Sequence, residues 1–145
     1  MGIGIAIAMV PALATCGSVP LRLDNLERVA AISYPTGAAT ALEYDGGSSP
    51  SAAAKGELTK ITDESGVVTY GYDALGRMTT KTVVTNSKMF VVTYTWGNTG
   101  SAMDKVTAVT YPGGSRANYS YDAQGYLNAI TVNPVNTNGV GVNTG

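Results

Sequence analysis

Carboxylates and aromatic rings are the groups in this sequence best placed to do chemistry. Asp73 and Asp122 each follow a tyrosine, in Tyr72-Asp73 and Tyr121-Asp122, and a pair of facing carboxylates is the apparatus of glycoside hydrolysis. The competing reading makes both aspartates turn-capping residues at equivalent points of successive repeats. Adjacent strands lie about 4.8 Å apart, so turns two hairpins away are too distant to form such a pair. Turn capping is the reading adopted, and no catalytic residue is assigned. Tyr70, Trp96 and Tyr119 are the candidates for stacking on sugar rings, because they offer flat apolar faces with polar edges. Each also has a ready role in sheet packing. Histidine is absent and there is a single cysteine, so the commonest general base, a disulfide framework and a thiolate zinc cluster are all excluded. No metal and no cofactor is expected. Gly2 and Gly4 are a fragment of a dinucleotide fingerprint without its strand or its acidic partner, and carry nothing.

A chain of 145 residues has room for one domain. Charged residues make up 13%, with nine Lys+Arg against ten Asp+Glu and a net charge of −1. There is no basic field to hold a phosphate backbone, so nucleic acid is not expected as a partner. Residues 1–20 open with an uncharged apolar run, Met1 to Ala14, too short to span a bilayer that needs about 20 apolar residues. The run has the length of a signal-peptide core, followed by the small residues Ala12, Ala14 and Thr15. Leu13-Ala14-Thr15-Cys16 resembles a lipobox, which makes Cys16 a candidate for lipidation. No Lys or Arg precedes the run, and a buried strand is the competing reading. The expected location is outside the cell or on its surface.

Those side chains must be positioned by elements, and an internal repeat supplies them. Arg28-Val-Ala-Ala-Ile-Ser-Tyr-Pro-Thr-Gly37 recurs as Lys105-Val-Thr-Ala-Val-Thr-Tyr-Pro-Gly-Gly114, an offset of 77 that also carries Tyr44-Asp45 onto Tyr121-Asp122. A third copy ends in Tyr70-Gly-Tyr-Asp-Ala-Leu-Gly-Arg77, and a degenerate fourth is Tyr94-Thr-Trp-Gly-Asn-Thr-Gly100. The marker aromatic falls at 44, 72, 96 and 121, in steps of 28, 24 and 25. Alternation through Phe90, Val92, Tyr94 and Trp96, and through Val106, Ala108 and Thr110, predicts strands. Asp73-Ala-Leu-Gly76 and Asp122-Ala-Gln-Gly125 predict turns opened by an aspartate and closed through a left-handed glycine. Asp63-Glu-Ser-Gly66 and Tyr34-Pro-Thr-Gly37 predict turns at the other end of the strands. Tyr70 with Tyr72, Tyr94 with Trp96, and Tyr119 with Tyr121 share a sheet face in pairs, which suggests an aromatic ladder across neighbouring strands. Helix signals are confined to Leu21–Ala31, where Asp24-Asn-Leu-Glu27 offers a start, and to Ser48–Lys55. The latter reads better as part of a flexible loop insertion at 46–56. Residues 134–145 read as a flexible Asn/Gly/Thr tail, cut from something longer.

Tyr72-Asp-Ala-Leu-Gly-Arg-Met78 resembles the YD repeat of the RHS (rearrangement hotspot) and teneurin proteins, Tyr-Asp-x-x-Gly-Arg-Leu, with Met for Leu. Residues 121–127 match with Tyr126 in place of Arg; residues 96–100 keep the aromatic and Gly; residues 44–48 keep Tyr-Asp. The repeat-defining residues are therefore Tyr44, Asp45, Tyr72, Asp73, Gly76, Arg77, Trp96, Gly100, Tyr121, Asp122 and Gly125, with Arg77 placed to pair with Asp73. Residues 21–133 form the repeat region, about four units. The fold expected is all-β: consecutive antiparallel hairpins in a curved open sheet of about eight to ten strands. The resemblance implies a segment of a β-shell that, in bacterial members, encloses a C-terminal toxin released by self-cleavage at an Asp-Pro motif. No Asp-Pro occurs here, so a wall segment is expected rather than a whole toxin. The partners implied are further YD repeats of the same protein and the toxin domain, with glycans under the alternative reading of a surface carbohydrate-binding or adhesion module. The open sheet edges make self-association a further expectation.

Overall fold

The computed structural model describes residues 19–47 and 51–134. Residues 1–18 of the proposed leader, with Cys16, and the tail from residue 135 onward lie outside the described residues. Ten strands form one antiparallel sheet in strict chain order: β1 (Leu21–Leu23), β2 (Val29–Ile32), β3 (Thr40–Tyr44), β4 (Leu58–Asp63), β5 (Gly66–Tyr72), β6 (Met78–Thr85), β7 (Lys88–Trp96), β8 (Val106–Thr110), β9 (Arg116–Tyr121) and β10 (Leu127–Asn133). The sheet is open, with β1 at one end and β10 at the other. The all-β hairpin architecture expected from the repeat is the one observed, but the sheet is open and uncurled rather than curved. Leu21–Ala31, where the sequence offers a helix start, is instead a hairpin, β1 pairing with β2 through Leu21↔Ile32 and Arg22↔Ala31. Helix propensity is a weak prior, and the pairing of neighbouring strands overrides it here.

Register sorts the side chains by face. Leu42 opposes Ile61, Ile61 opposes Val68, Val68 opposes Val83 and Val83 opposes Phe90. That apolar row continues in kind through Tyr94↔Val109 and Val109↔Ala117. The other face carries rows such as Glu43↔Lys60↔Thr69↔Thr82 and Thr80↔Thr93↔Thr110, with Val67, Val84 and Met89 as an apolar corner. Among the described residues the buried apolar side chains are Ala30, Ala54, Ala108, Val109 and Ala117, none of them large. A single layer has no second sheet to close over it, so adjacent strands supply most of the burial, as in other repeat arrays.

The two ends of the strands carry different turns. At one end, Asn86 and Ser87 at φ 49° and 60° make the two-residue β6–β7 loop, the geometry whose twist suits a hairpin. At the same end Asp63 accepts hydrogen bonds from Ser65 N–H and Oγ and from Gly66 N–H at 2.6–3.2 Å. The opposite end carries the Tyr-Asp turns. The second of these takes in residues 46–56 and holds a 3-10 turn, Ala52–Ala54, with Ala54 buried.

Candidate functional site

Five turns at that end share one construction. The amide of an opening residue donates to the carbonyl of a closing residue: Asp24 to Arg28, Asp45 to Glu57, Asp73 to Arg77, Gly97 to Lys105 and Asp122 to Tyr126, all at 2.8–3.0 Å. Where the opener is Asp24, Asp73 or Asp122, its Oδ1 also accepts two backbone N–H groups inside the turn. Just before each closing residue the backbone is left-handed, at Glu27, Gly56, Gly76, Asp104 and Gly125, with φ between 56° and 87°. The sequence pattern assigns this place in the fourth turn to Gly100. The turn is instead four residues longer, Gly100 starts a 3-10 turn at Gly100–Ala102, and Asp104 takes the left-handed position. Asp24 to Arg28 is a fifth unit that the Tyr-Asp pattern misses, because Leu23 and Glu27 replace both the marker aromatic and the glycine. Its surviving signal is the Asp-to-Arg spacing of four, the same as from Asp73 to Arg77.

The marker aromatics perform one job. Tyr44 Oη donates to the Val29 carbonyl at 3.1 Å, Tyr72 Oη to Leu58 at 2.7 Å, Trp96 Nε1 to Met78 at 2.8 Å and Tyr121 Oη to Val106 at 2.7 Å. Each acceptor is the first residue after a closing residue, and Leu58, Met78 and Val106 are each paired, at a break in register, with the previous unit's marker, Tyr44, Tyr72 and Trp96. Indole N–H replaces phenol O–H at position 96 without loss of the donor, which explains why tryptophan serves there.

A second lock ties successive turns together. Arg28 holds Asp24 within its own turn at 2.8 Å and reaches Asp45 of the next turn at 2.7 Å. Its guanidinium lies 4.3 Å from the centroid of the Tyr44 ring. Arg77 holds Asp73 at 2.7 Å and reaches Asp104 at 2.8 Å and Asn98 Oδ1 at 2.9 Å, with Trp96 5.5 Å away. Lys105 lies 5.4 Å from the Tyr121 ring. Thus a turn's closing cation sits over the next unit's marker aromatic. The Arg77 side chain donates to the Asp73 carboxylate and holds it below the usual carboxylate range. The Arg28 side chain, together with the Gly56 amide, does so for Asp45, and hydrogen bonds from the Arg28 amide and side chain do so for Asp24.

Tyr70, Trp96 and Tyr119 are all half-buried on the apolar face. Tyr70 sits opposite Lys81, whose Nζ is 6.0 Å from its ring, and Tyr119 sits opposite Ile130. The aromatic pairs lie on alternate strands, with an aliphatic or lysine strand between them, because each hairpin contributes one marker strand. Tyr94 and Trp96, with Met78 and Val106, line a shallow apolar depression of about 290 Å³. A larger depression of about 700 Å³ lies beside Leu26, Arg28, Asp45 and Lys55, whose charged groups include the already paired Arg28 and Asp45. Burial raises the Tyr72 and Tyr119 hydroxyls above the usual phenol range. Among the described residues no three His, Cys, Asp or Glu side chains are grouped to hold a metal ion, and no helix is long and apolar enough to cross a membrane.

A single-layer sheet of hairpins that share one closing hydrogen bond from turn to turn defines a β-repeat class, in which the repeated geometry serves the sheet itself. Residues 54–87, the stretch from the closing half of the second turn to the β6–β7 loop, match the family model RHS Repeat. That match supports reading the chain as RHS/YD-repeat in type, with this stretch a structural repeat segment. No curated protein matches the sequence.

Proposed function

We propose that the chain is a wall segment of an exported RHS-type shell, in which the repeats contain a C-terminal toxin cargo and do no chemistry themselves. The observation that carries this reading is the construction of the sheet. The turn side chains Asp24, Arg28, Asp45, Asp73, Arg77 and Asp104 are spent on ion pairs within their own turn or with a neighbouring one, along a continuous sheet. RHS-repeat proteins are typically secreted or displayed at the cell surface, in keeping with the apolar N-terminal run. The partners proposed are further YD repeats of the same protein and the enclosed toxin domain. The test is the reading frame on both sides of this coding sequence. Continuation through more Tyr-Asp-x-x-Gly units into an Asp-Pro motif and an unrelated tail is the expected result. A promoter directly upstream and a stop directly after codon 145 would sink it.

The Tyr94–Trp96 depression favours a second reading, a surface carbohydrate-binding or adhesion module. Saturable quenching of the Trp96 fluorescence by oligosaccharides, lost in Tyr94→Ala, would support that module over the shell.

A further inference from the structure

The second Tyr-Asp turn carries an insertion whose far half is fastened twice to one residue. The Asp45 carbonyl accepts from the Ser51 amide at 3.1 Å, and Asp45 Oδ1 accepts from the Gly56 amide at 2.5 Å. Between those two points lies the 3-10 turn Ala52–Ala54, anchored by buried Ala54. This part of the insertion is therefore held in place, and the depression of about 700 Å³ lies between it and the first turn, within the size range of small-molecule sites. Its apolar lining is Leu26, which is 69% exposed, with Ala52 and Gly56 of the insertion.

Charge decides what can enter. The carboxylates beside the depression are satisfied, because Arg28 donates to Asp24 through Nε and to Asp45 through Nη2. The cations are not. Lys55 lines the depression and makes no ion pair among the described residues. Arg28 Nη1 makes no hydrogen bond among them either. The arginine in the same place of the third turn shows what that nitrogen can do, since Arg77 Nη1 donates to Asp104 of the fourth turn at 2.8 Å. Asp104 is the left-handed residue before the closing position of its turn, and the second turn has Gly56 there. The carboxylate that completes the contact in one pair of turns is thus missing from the other.

We propose that the depression between the first two Tyr-Asp turns binds a small organic carboxylate with an apolar body. Its carboxylate takes toward Arg28 Nη1 the place that Asp104 takes toward Arg77, with Lys55 as the second cation, and its apolar body rests on Leu26 and Ala52. The proposal stands apart from the wall reading, since it concerns one pair of turns and not the sheet.

The probe is hydrocinnamate, titrated at neutral pH into the full chain labelled for amide NMR, with hydrocinnamyl alcohol as the uncharged control. Saturable shifts in residues 24–28, 45–47 and 51–57 are expected, and the alcohol should bind at least about five-fold more weakly. Lys55→Gln should weaken binding about five-fold, the scale of an exposed charge pair. Leu26→Ser should weaken it about five-fold or more through lost apolar contact. Leu75→Ser, at the same place in the third turn and 70% exposed, should leave it unchanged. Gly56→Asp is the sharpest variant. Aspartate tolerates a left-handed backbone, as Asp104 does at φ 56°, and a Cβ at Gly56 meets nothing within 4 Å. The new carboxylate should occupy Arg28 and abolish binding while the amide spectrum of the sheet is retained. Parent-like binding in Gly56→Asp, equal binding of acid and alcohol, shifts centred on Val83 and Phe90 of the apolar face, or no saturation at millimolar probe would each overturn the proposal.

Discussion

At the scale of single residues, the marker aromatic acts through one hydrogen bond as well as through its ring. In Tyr72→Phe the ring remains and the Leu58 carbonyl loses its donor, so the expected loss is about 1 kcal/mol of unfolding free energy, read from urea denaturation. Trp96→Phe strands the Met78 carbonyl in the same way and should cost more, because the larger indole surface is lost as well. A Tyr72→Phe chain as stable as the parent would show that the ring alone sets the register. Glu27 makes the opposite case. It sits at φ 61° in the place that Gly56, Gly76 and Gly125 fill elsewhere. A left-handed backbone costs a residue with a Cβ about 1–2 kcal/mol, so Glu27→Gly should stabilise the chain by about 0.5 kcal/mol or more after the added chain entropy of glycine. A lower urea midpoint for Glu27→Gly would contradict that account.

At the scale of elements, the turns are held by ion pairs with a built-in acid sensitivity. Hydrogen bonds from Arg28 and Arg77 lower the folded-state pKa of Asp24, Asp45 and Asp73. A carboxylate depressed in the folded state contributes stability that is complete above its unfolded value, about 3.9, and is lost as pH falls through the folded value. The midpoint of thermal unfolding should therefore hold steady from neutral pH down to about 5 and fall below about pH 4. Arg77→Lys should flatten that fall. A lysine keeps the charge but cannot span Asp73, Asn98 and Asp104 at once, so amide protection in residues 97–105 should drop while β2 to β4 keep theirs. The contrast between the two kinds of lock also explains what the sequence made legible. Tyr-Asp and Gly at a fixed spacing announce the turns at 72–76 and 121–125, and partial copies mark those at 44 and 96, because aspartate capping and a left-handed glycine are local requirements. Leu23 and Glu27 hide the first turn by replacing both signals, and Asn-Leu-Glu-Arg then reads as a helix start. The four extra residues of the fourth turn shift its left-handed position from Gly100 to Asp104. The pair Arg77–Asp73 is local and was visible, whereas the reach from Arg28 to Asp45 and from Arg77 to Asp104 joins neighbouring turns across an intervening hairpin, which no periodicity encodes.

At the scale of the whole molecule, the sheet has an apolar face and, among the described residues, nothing that covers it. Phe90 is 41% exposed on that face, and Leu21 and Leu23 at one end and Leu127, Ile130 and Val132 at the other exceed half exposure. A monomeric protein with a second layer would bury these rows, and here the largest buried side chain among the described residues is a valine. Exposed contiguous apolar surface of this kind marks a face meant for contact. A shell wall fits that requirement, since its inner or outer face meets cargo or further sheet. The chain in isolation should then bind an apolar fluorescent dye in its native state at neutral pH, with the signal lowered by Phe90→Thr and not by Thr82→Ser on the opposite face. It should also associate as concentration rises, with a sedimentation average above 14.9 kDa. Dilution should reverse the association, because contacts through a face and the open edges are weak individually and multiply only in an array. A native chain that leaves the dye dark and sediments as a monomer at every concentration would mean that the apolar face is already covered, and that the sheet is a closed module rather than a piece of wall.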